Sequence, residues 1–203
     1  RAELFFFDNH RNRPYFHCQS CDLRFVGTHS RLDYKGERDR YLKHNNDIHD
    51  PNYQKFVEPL YKLIKENIPP TAKGLDFGCG EGPVLSHLLS VDGFDITLYD
   101  PIFKPDTTAL LKKYDFIFCV EVVEHFYNPK EEFLRLKDLL SSKGQLFLMT
   151  DLHSEEIQFN TWNYRSDPTH VSFYSNSTFE WIKKNFEFEN YKRFSSRIVR
   201  FEC

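Results

Sequence analysis

The sequence predicts an α/β fold built on a mostly parallel central sheet, and three observations carry that prediction. From residue 53 to the C-terminus, short apolar runs of strand character alternate with stretches whose apolar residues recur at helical spacing. The first of those strand-like runs, residues 74–77, empties into Gly78-Cys79-Gly80-Glu81-Gly82 directly before a helical pattern. The chain has 203 residues, 40% hydrophobic and 28% charged, which is the make-up of a folded domain with a full core rather than of a disordered segment.

The elements follow in order. Residues 4–7 and 15–18 read as short strands around Cys18-Gln19-Ser20-Cys21, and the polar residues 35–52, with His44 and His49, read as a connecting loop. Tyr53, Phe56, Val57, Leu60, Tyr61 and Ile64 stripe a helix that ends before Pro69-Pro70 and is bent or shortened at Pro59. Residues 74–77 form a buried strand, and a helix follows over 83–90, with Pro83 in the first turn where its missing N–H costs nothing. Strands come next at 96–100 and 115–120. Phe133, Leu136 and Leu140 stripe a helix that stops at Gly144, and 145–150 is the next strand. Ser177-x-x-Glu180 fits a capping box for a helix through Phe179, Trp181 and Ile182. Residues 186–191 and 194–201 read as a closing hairpin. With 17% aromatic residues and 21 Phe, the core is expected to be packed with phenylalanine.

Composition also excludes. The longest apolar runs, 116–120 and 146–149, are too short for a membrane span or signal peptide. A net charge of −3 argues against a general polyanion binder, so nucleic acid is not the expected partner, although a local basic patch stays open. Five cysteines cannot all pair, and Cys79 and Cys119 lie in apolar strand contexts, which predicts reduced thiols and a cytoplasmic protein. The sequence opens at Arg1 and its one methionine is Met149, so a segment upstream is expected.

Glycines in the turn after a first parallel strand let the backbone approach a ligand closely, and the helix start behind them offers free N–H groups to an anion. The spacing here is G-x-G-x-G, with Pro83 where a nicotinamide-dinucleotide fingerprint has its third glycine. Asp76 precedes the turn, and Asp100 ends the second strand, where a carboxylate accepts hydrogen bonds from both hydroxyls of a ribose. The run from Asp76 to Gly82, with Asp100 downstream, resembles the cofactor-binding motif of class I S-adenosylmethionine (SAM)-dependent methyltransferases, over roughly residues 55–203. The resemblance implies a Rossmann-like class I methyltransferase fold with a C-terminal antiparallel hairpin and a small N-terminal β-rich appendage. It assigns residues 1–45 to a ribbon-like segment and 46–203 to the methyltransferase domain. It implies that Gly78, Cys79 and Gly80 hold the methionine part of SAM, that Asp76 contacts it, that Asp100 binds the ribose, and that Pro101, Ile102 and Phe103 neighbour the adenosine. Only residues 101–114 separate the second strand from the next, too few for the usual helix, strand and adenine loop, so the sheet is expected to be abbreviated and Asp106 is not expected to contact adenine.

A second informative stretch runs from Asp115 to Pro129. Glu121 is expected to begin a short helix on which Glu121, Glu124 and His125, at i, i+3 and i+4, share one face. Farther on comes Trp162-Asn-Tyr164-Arg-Ser-Asp167-Pro-Thr-His170-Val-Ser-Phe173-Tyr174. Glu-x-x-Glu-His with a distant histidine is similar to ubiquinone-biosynthesis O-methyltransferases and to small-RNA terminal 2′-O-methyltransferases. That similarity implies a Mg²⁺, Mn²⁺ or Zn²⁺ site at Glu121, Glu124, His125 and His170. The same motif also occurs in methyltransferases without metal, where the acid and histidine cap the helix and hold the acceptor loop. In either case His170 and Glu121 are the candidate catalytic groups, with His170 as general base. Trp162, Tyr164, Phe173 and Tyr174 are candidate walls of the acceptor pocket, two or three of them being expected in the core.

Cys18-x-x-Cys21 looks like one knuckle of a zinc ribbon, whose tetrahedral ion needs four ligands. The second pair is expected upstream of Arg1, His10, His17 and His29 being substitutes without diagnostic spacing, and a half ribbon without metal is the competing reading. The expected function is SAM-dependent methyl transfer to an oxygen or nitrogen of a small molecule. The alternatives are an RNA or protein methyltransferase, a non-catalytic SAM-binding module and, weakest, a nicotinamide oxidoreductase.

Overall fold

The computed structural model describes residues 2–9, 11–43 and 47–203. Its larger sheet has six strands in the order β5 (Asp95–Tyr99), β4 (Lys73–Phe77), β6 (Tyr114–Val120), β7 (Leu140–Met149), β10 (Ile198–Glu202) and β9 (Asn190–Arg193). β5, β4, β6 and β7 are parallel, while β10 runs antiparallel to β7 and β9 antiparallel to β10. This is the mostly parallel sheet with a closing hairpin that the pattern predicts. From β4 the chain steps outward to β5 and then returns to the other side of β4 as β6. The carboxyl ends of β4 and β6 therefore bound the crevice in which open α/β sheets bind their ligands.

Strand alternation divides the apolar residues between two layers. Phe116, Phe118, Phe147 and Met149 face α2 (Pro51–Asn67) and α3 (Val84–Val91), packing with Val57, Leu60, Ile64 and Leu89. Ile117, Cys119, Leu146 and Leu148 face α4 (Pro129–Leu139) and α5 (Asn176–Asn185). Phe133 sits at the centre of that second layer, with the rings of Phe126, Tyr174, Phe179, Phe186 and Phe201 around it. Each such buried side chain contributes about 1.5–3 kcal/mol, which makes the phenylalanine-rich core the main cohesive term.

A smaller antiparallel sheet contains β1 (Ala2–Asp8), β2 (Arg13–Cys18), β3 (Arg24–Val26) and β8 (Ser172–Phe173), in that order. Its fourth strand comes from the segment just after His170, so the N-terminal strands are hydrogen-bonded into the far end of the chain. Tyr15 and Val26 share a core with Phe159, Val171 and Phe173. Among the described residues, no helix is long and apolar enough to cross a membrane.

Several local expectations are corrected. Residues 35–52 are not all loop: α1 (Tyr34–Tyr41) forms there, capped by the Asp33 carboxylate, which accepts from Gly36 N–H. It buries no side chain, so no apolar stripe marked it. The helix striped by Phe133 ends at Leu139, not at Gly144, and Leu140 already pairs with Tyr114. Gly144 instead lies in a bulge where the β6–β7 register slips, and a Cβ there would meet the Ser141 carbonyl at 2.8 Å. The capping box of α5 is made by Ser175 and Thr178, because Ser177 already lies inside the first turn. The closing hairpin is shorter than expected, whereas the 101–114 segment is abbreviated as the sequence predicts, with only a 3₁₀ turn, Thr107–Leu111, between β5 and β6.

Candidate functional site

The glycine turn after β4 is shaped by two left-handed residues, Gly78 at φ +83° and Gly80 at φ +63°. The N–H groups of Gly78 and Cys79 both donate to the Tyr99 carbonyl, at 2.8 and 3.1 Å, tying the turn to the end of β5. Gly80 N–H donates to one Asp100 oxygen at 3.0 Å, and Ile102 and Phe103 N–H donate to the other at 2.8 and 2.9 Å. The backbone thus clamps Asp100 at the rim of a cavity of about 870 Å³ lined by Asp76, Gly78, Cys79, Gly80, Asp100 and Pro101. That size suits a nucleoside-bearing cofactor. Asp100→Ala is expected to weaken S-adenosylhomocysteine binding about tenfold or more, because a charged acceptor is lost and three clamping amides are left unpaired. Calorimetry checks this, and unchanged affinity would remove Asp100 from the site.

Asp76 is buried beneath the turn and accepts from the Ser86 hydroxyl at 2.5 Å. Burial pushes its carboxyl up to about 7; the Ser86 hydrogen bond opposes the rise and the Asp100 charge adds to it. An acid raised in this way binds more protons folded than unfolded, so its ionisation costs stability as pH climbs toward 7. A ligand ammonium group beside it reverses that cost. S-adenosylhomocysteine affinity is therefore expected to strengthen from pH 6 to pH 8 and to lose much of that slope in Asp76→Asn, as read by calorimetry across the range.

The strand-to-turn passage after β6 corrects the expected helix. Glu121 has φ +52°, and the helical turn is a single 3₁₀ turn, Val123–His125, so Glu121 does not share a face with Glu124 and His125. Its carboxylate lies 3.4 Å from the Arg197 guanidinium instead. Glu124, His125 and His170 do converge, their ligand-type atoms lying within 4.8 Å of one another. Glu124 is fully buried; one oxygen accepts from Thr150 at 2.9 Å, the other from Tyr164 at 2.5 Å. The latter oxygen lies 4.0 Å from Nε2 of both histidines. His125 Nδ1 lies 3.0 Å from the Thr169 carbonyl and His170 Nδ1 2.6 Å from that of Tyr164. A carbonyl only accepts, so each Nδ1 carries the proton and each Nε2 turns a lone pair toward the Glu124 carboxylate. Three acceptor atoms facing one another repel unless a proton or a cation lies between them. Burial lowers the proton affinity of both imidazoles, to about 3 at His170, and raises Glu124 to about 7.

A second pocket of about 610 Å³ adjoins the first, and Phe56, Glu121 and His170 line both. Trp162 and Tyr164 form its aromatic wall, whereas Phe173 and Tyr174 are core residues. Arg197 reaches Asp151 at 3.2 Å as well as Glu121, and Trp162 Nε1–H donates to Asp151 at 3.1 Å. Neither Arg197 nor Asp151 stood out in the sequence, since each is a lone charge near a strand end. Glu37 and Tyr41 of α1 and Arg135 of α4 also line the larger cavity without having been foreseen. The signal for the first two was hidden with the helix that carries them.

At the turn between β2 and β3, Cys18 and Cys21 are free thiols joined by a hydrogen bond, with the Ser20 and Cys21 amides directed at Cys18. Among the described residues they belong to no cluster of three metal-ligating groups. His17 pairs with Asp22 at 2.7 Å, His29 is exposed, and His10 lies outside the described residues.

A family model described as a methyltransferase domain matches residues 49–193. A ubiquinone biosynthesis O-methyltransferase of Rickettsia bellii is 30% identical over 98 residues, covering 37% of this chain; the chain spans 40% of that relative's length. Burkholderia thailandensis 1,6-didemethyltoxoflavin-N1-methyltransferase, solved with 1,6-didemethyltoxoflavin and S-adenosylhomocysteine, is similar in fold with a TM-score of 0.55 at 11% identity, over 98% of both chains. Human N-acetylserotonin methyltransferase, solved with SAM, gives a TM-score of 0.58 at 12% identity over 83% of this chain and 57% of the other.

Proposed function

This chain belongs to the methyltransferase-domain family and has its class I fold, and from that premise we propose that it is a SAM-dependent methyltransferase acting on an oxygen or nitrogen of a small molecule. The observation that carries the proposal is the meeting of the two pockets at His170 and Glu121, one fit for the cofactor and the other for an acceptor of modest size. The named activity of the Rickettsia bellii relatives supports oxygen.

In this reading Gly78, Cys79 and Gly80 present backbone to the methionine part of SAM, Asp76 faces its ammonium group, Asp100 accepts from the ribose and Pro101 packs by the adenosine. A sulfonium is already a good leaving centre, so the protein chiefly aligns the acceptor with the methyl group. Trp162 and Tyr164 wall in an acceptor that lies against His170. Burial beside Glu124 pushes the Glu121 carboxyl up while the Arg197 guanidinium opposes the rise, and the group lines the junction of the two pockets where it can hydrogen-bond the acceptor. Burial leaves His170 with an unprotonated Nε2 at neutral pH, free either to take the acceptor's proton or to hold a cation beside it.

Glu124, His125 and His170 form a donor set of one carboxylate and two imidazoles that fits Zn²⁺ or Mn²⁺ better than the oxygen-seeking Mg²⁺, with Glu121 outside it. A bound ion would acidify and orient an acceptor hydroxyl. The test is S-adenosylhomocysteine release with a panel of small phenols, alcohols and amines, before and after EDTA. Loss of turnover that returns with added Mn²⁺ or Zn²⁺ is expected; turnover unaffected by EDTA would end the metal assignment and leave His170 as the base. We read residues 46–203 as the methyltransferase domain and 1–45 as its N-terminal extension.

A further inference from the structure

Arg13 stands on β2, far in sequence from the acceptor loop, yet it is almost completely buried against it. One terminal nitrogen donates to the carbonyls of Asp167 at 3.1 Å and Arg165 at 3.5 Å, and the other to those of Pro168 at 2.9 Å and His170 at 2.7 Å. The loop's remaining carbonyls of note, Tyr164 and Thr169, are the ones that accept from His170 and His125. Within one short segment the carbonyls thus divide between a guanidinium and two imidazoles. The gripped Arg165 carbonyl is one Cα away from the Tyr164 peptide, and the gripped Pro168 and His170 carbonyls flank the Thr169 peptide, so fixing them leaves only the φ and ψ of single residues to set the carbonyls that orient the histidines. The flanks are anchored as well: Arg165 donates to Asp8 of β1 at 2.6 Å, and Arg40 of α1 to Asp167 at 2.5 Å. Val26 N–H of β3 donates to the Val171 carbonyl at 2.9 Å.

We infer that Arg13 is a positioning residue for His125 and His170, and that the N-terminal sheet is thereby part of the active-site architecture. The inference rests on the reading of those two histidines as acceptor-side groups. A guanidinium with its planar fork of donors can satisfy four carbonyls at once, which an ammonium cannot do in the same geometry. The buried positive charge is compensated by carbonyl dipoles and by the nearby Asp167 carboxylate.

The experiment uses ¹⁵N-labelled imidazoles in the full chain, with signals assigned through His125→Gln and His170→Gln, in wild type, Arg13→Met and Arg13→Lys. Wild type is expected to show both rings with the proton on Nδ1. In Arg13→Met at least one ring is expected to become a mixture of tautomers, with Arg13→Lys between the two, while S-adenosylhomocysteine binding is unchanged. Both rings keeping Nδ1–H in folded Arg13→Met overturns the inference. If that variant does not fold, the same result in Arg13→Lys overturns it. Failure of the methyltransferase reading would show separately, as absence of S-adenosylhomocysteine binding in wild type.

Discussion

His170→Ala is expected to leave S-adenosylhomocysteine affinity unchanged while lowering methyl transfer by roughly 10²–10⁴-fold, the usual worth of a positioned proton-handling group. The separation follows from where the side chain sits. His170 is shared by the two pockets, and its ring contacts Tyr164 and His125 rather than the glycine turn. Its removal strips one of three convergent ligand atoms and leaves the Tyr164 carbonyl without its donor. The amides of Gly80, Ile102 and Phe103 that hold the Asp100 carboxylate are untouched. Calorimetry for binding and release of S-adenosylhomocysteine for turnover read the two quantities independently. Equal losses in both would mean that His170 holds the fold of the site rather than its chemistry, and normal turnover would make it a structural residue.

Gly78→Ala is expected to damage both stability and cofactor binding. At φ +83° an L-residue is strained by about 1–3 kcal/mol. An added Cβ would also stand 2.6 and 2.7 Å from the two γ-carbons of Val122. Relief requires Val122 or the turn to shift, at a cost of about 1–3 kcal/mol for overpacking. A shift of the turn moves the Gly78 and Cys79 amides off the Tyr99 carbonyl, and a shift of Val122, which lines the cavity, changes its shape. A fall in thermal midpoint together with weakened S-adenosylhomocysteine binding is the expected pair of readings. An alanine variant with wild-type midpoint and affinity would show that the turn is not held as described.

The lining of the cavity at the glycine turn was legible in advance, and that of the pocket beside it only half so. Gly78, Cys79, Gly80, Asp76, Asp100 and Pro101 line one cavity because they lie at the ends of two adjacent parallel strands, and strand and turn character shows in runs of five or six residues. Glu121 was misjudged because helical spacing assumes helical backbone, and a positive φ at that residue turns its carboxylate toward Arg197. α1 escaped notice because a helix that buries nothing leaves no apolar period, though it brings Glu37 and Tyr41 to the cavity.

What the residue order determined unaided was the α/β class, the parallel strands, the glycine turn with its two flanking aspartates, and the candidacy of Glu124, His125 and His170. These depend on interactions among near neighbours: side-chain alternation, backbone freedom at glycine, and the spacing of one turn. Only the tertiary structure decided that Glu121 leaves the histidine cluster, that Arg197 and Asp151 enter the second pocket, and that Arg13 holds the loop beneath His170. Each of those outcomes joins segments separated by tens to more than a hundred residues. Their partners are chosen by which backbone carbonyls and carboxylates must be satisfied once the core has excluded water, a constraint that exists only after the chain has closed on itself.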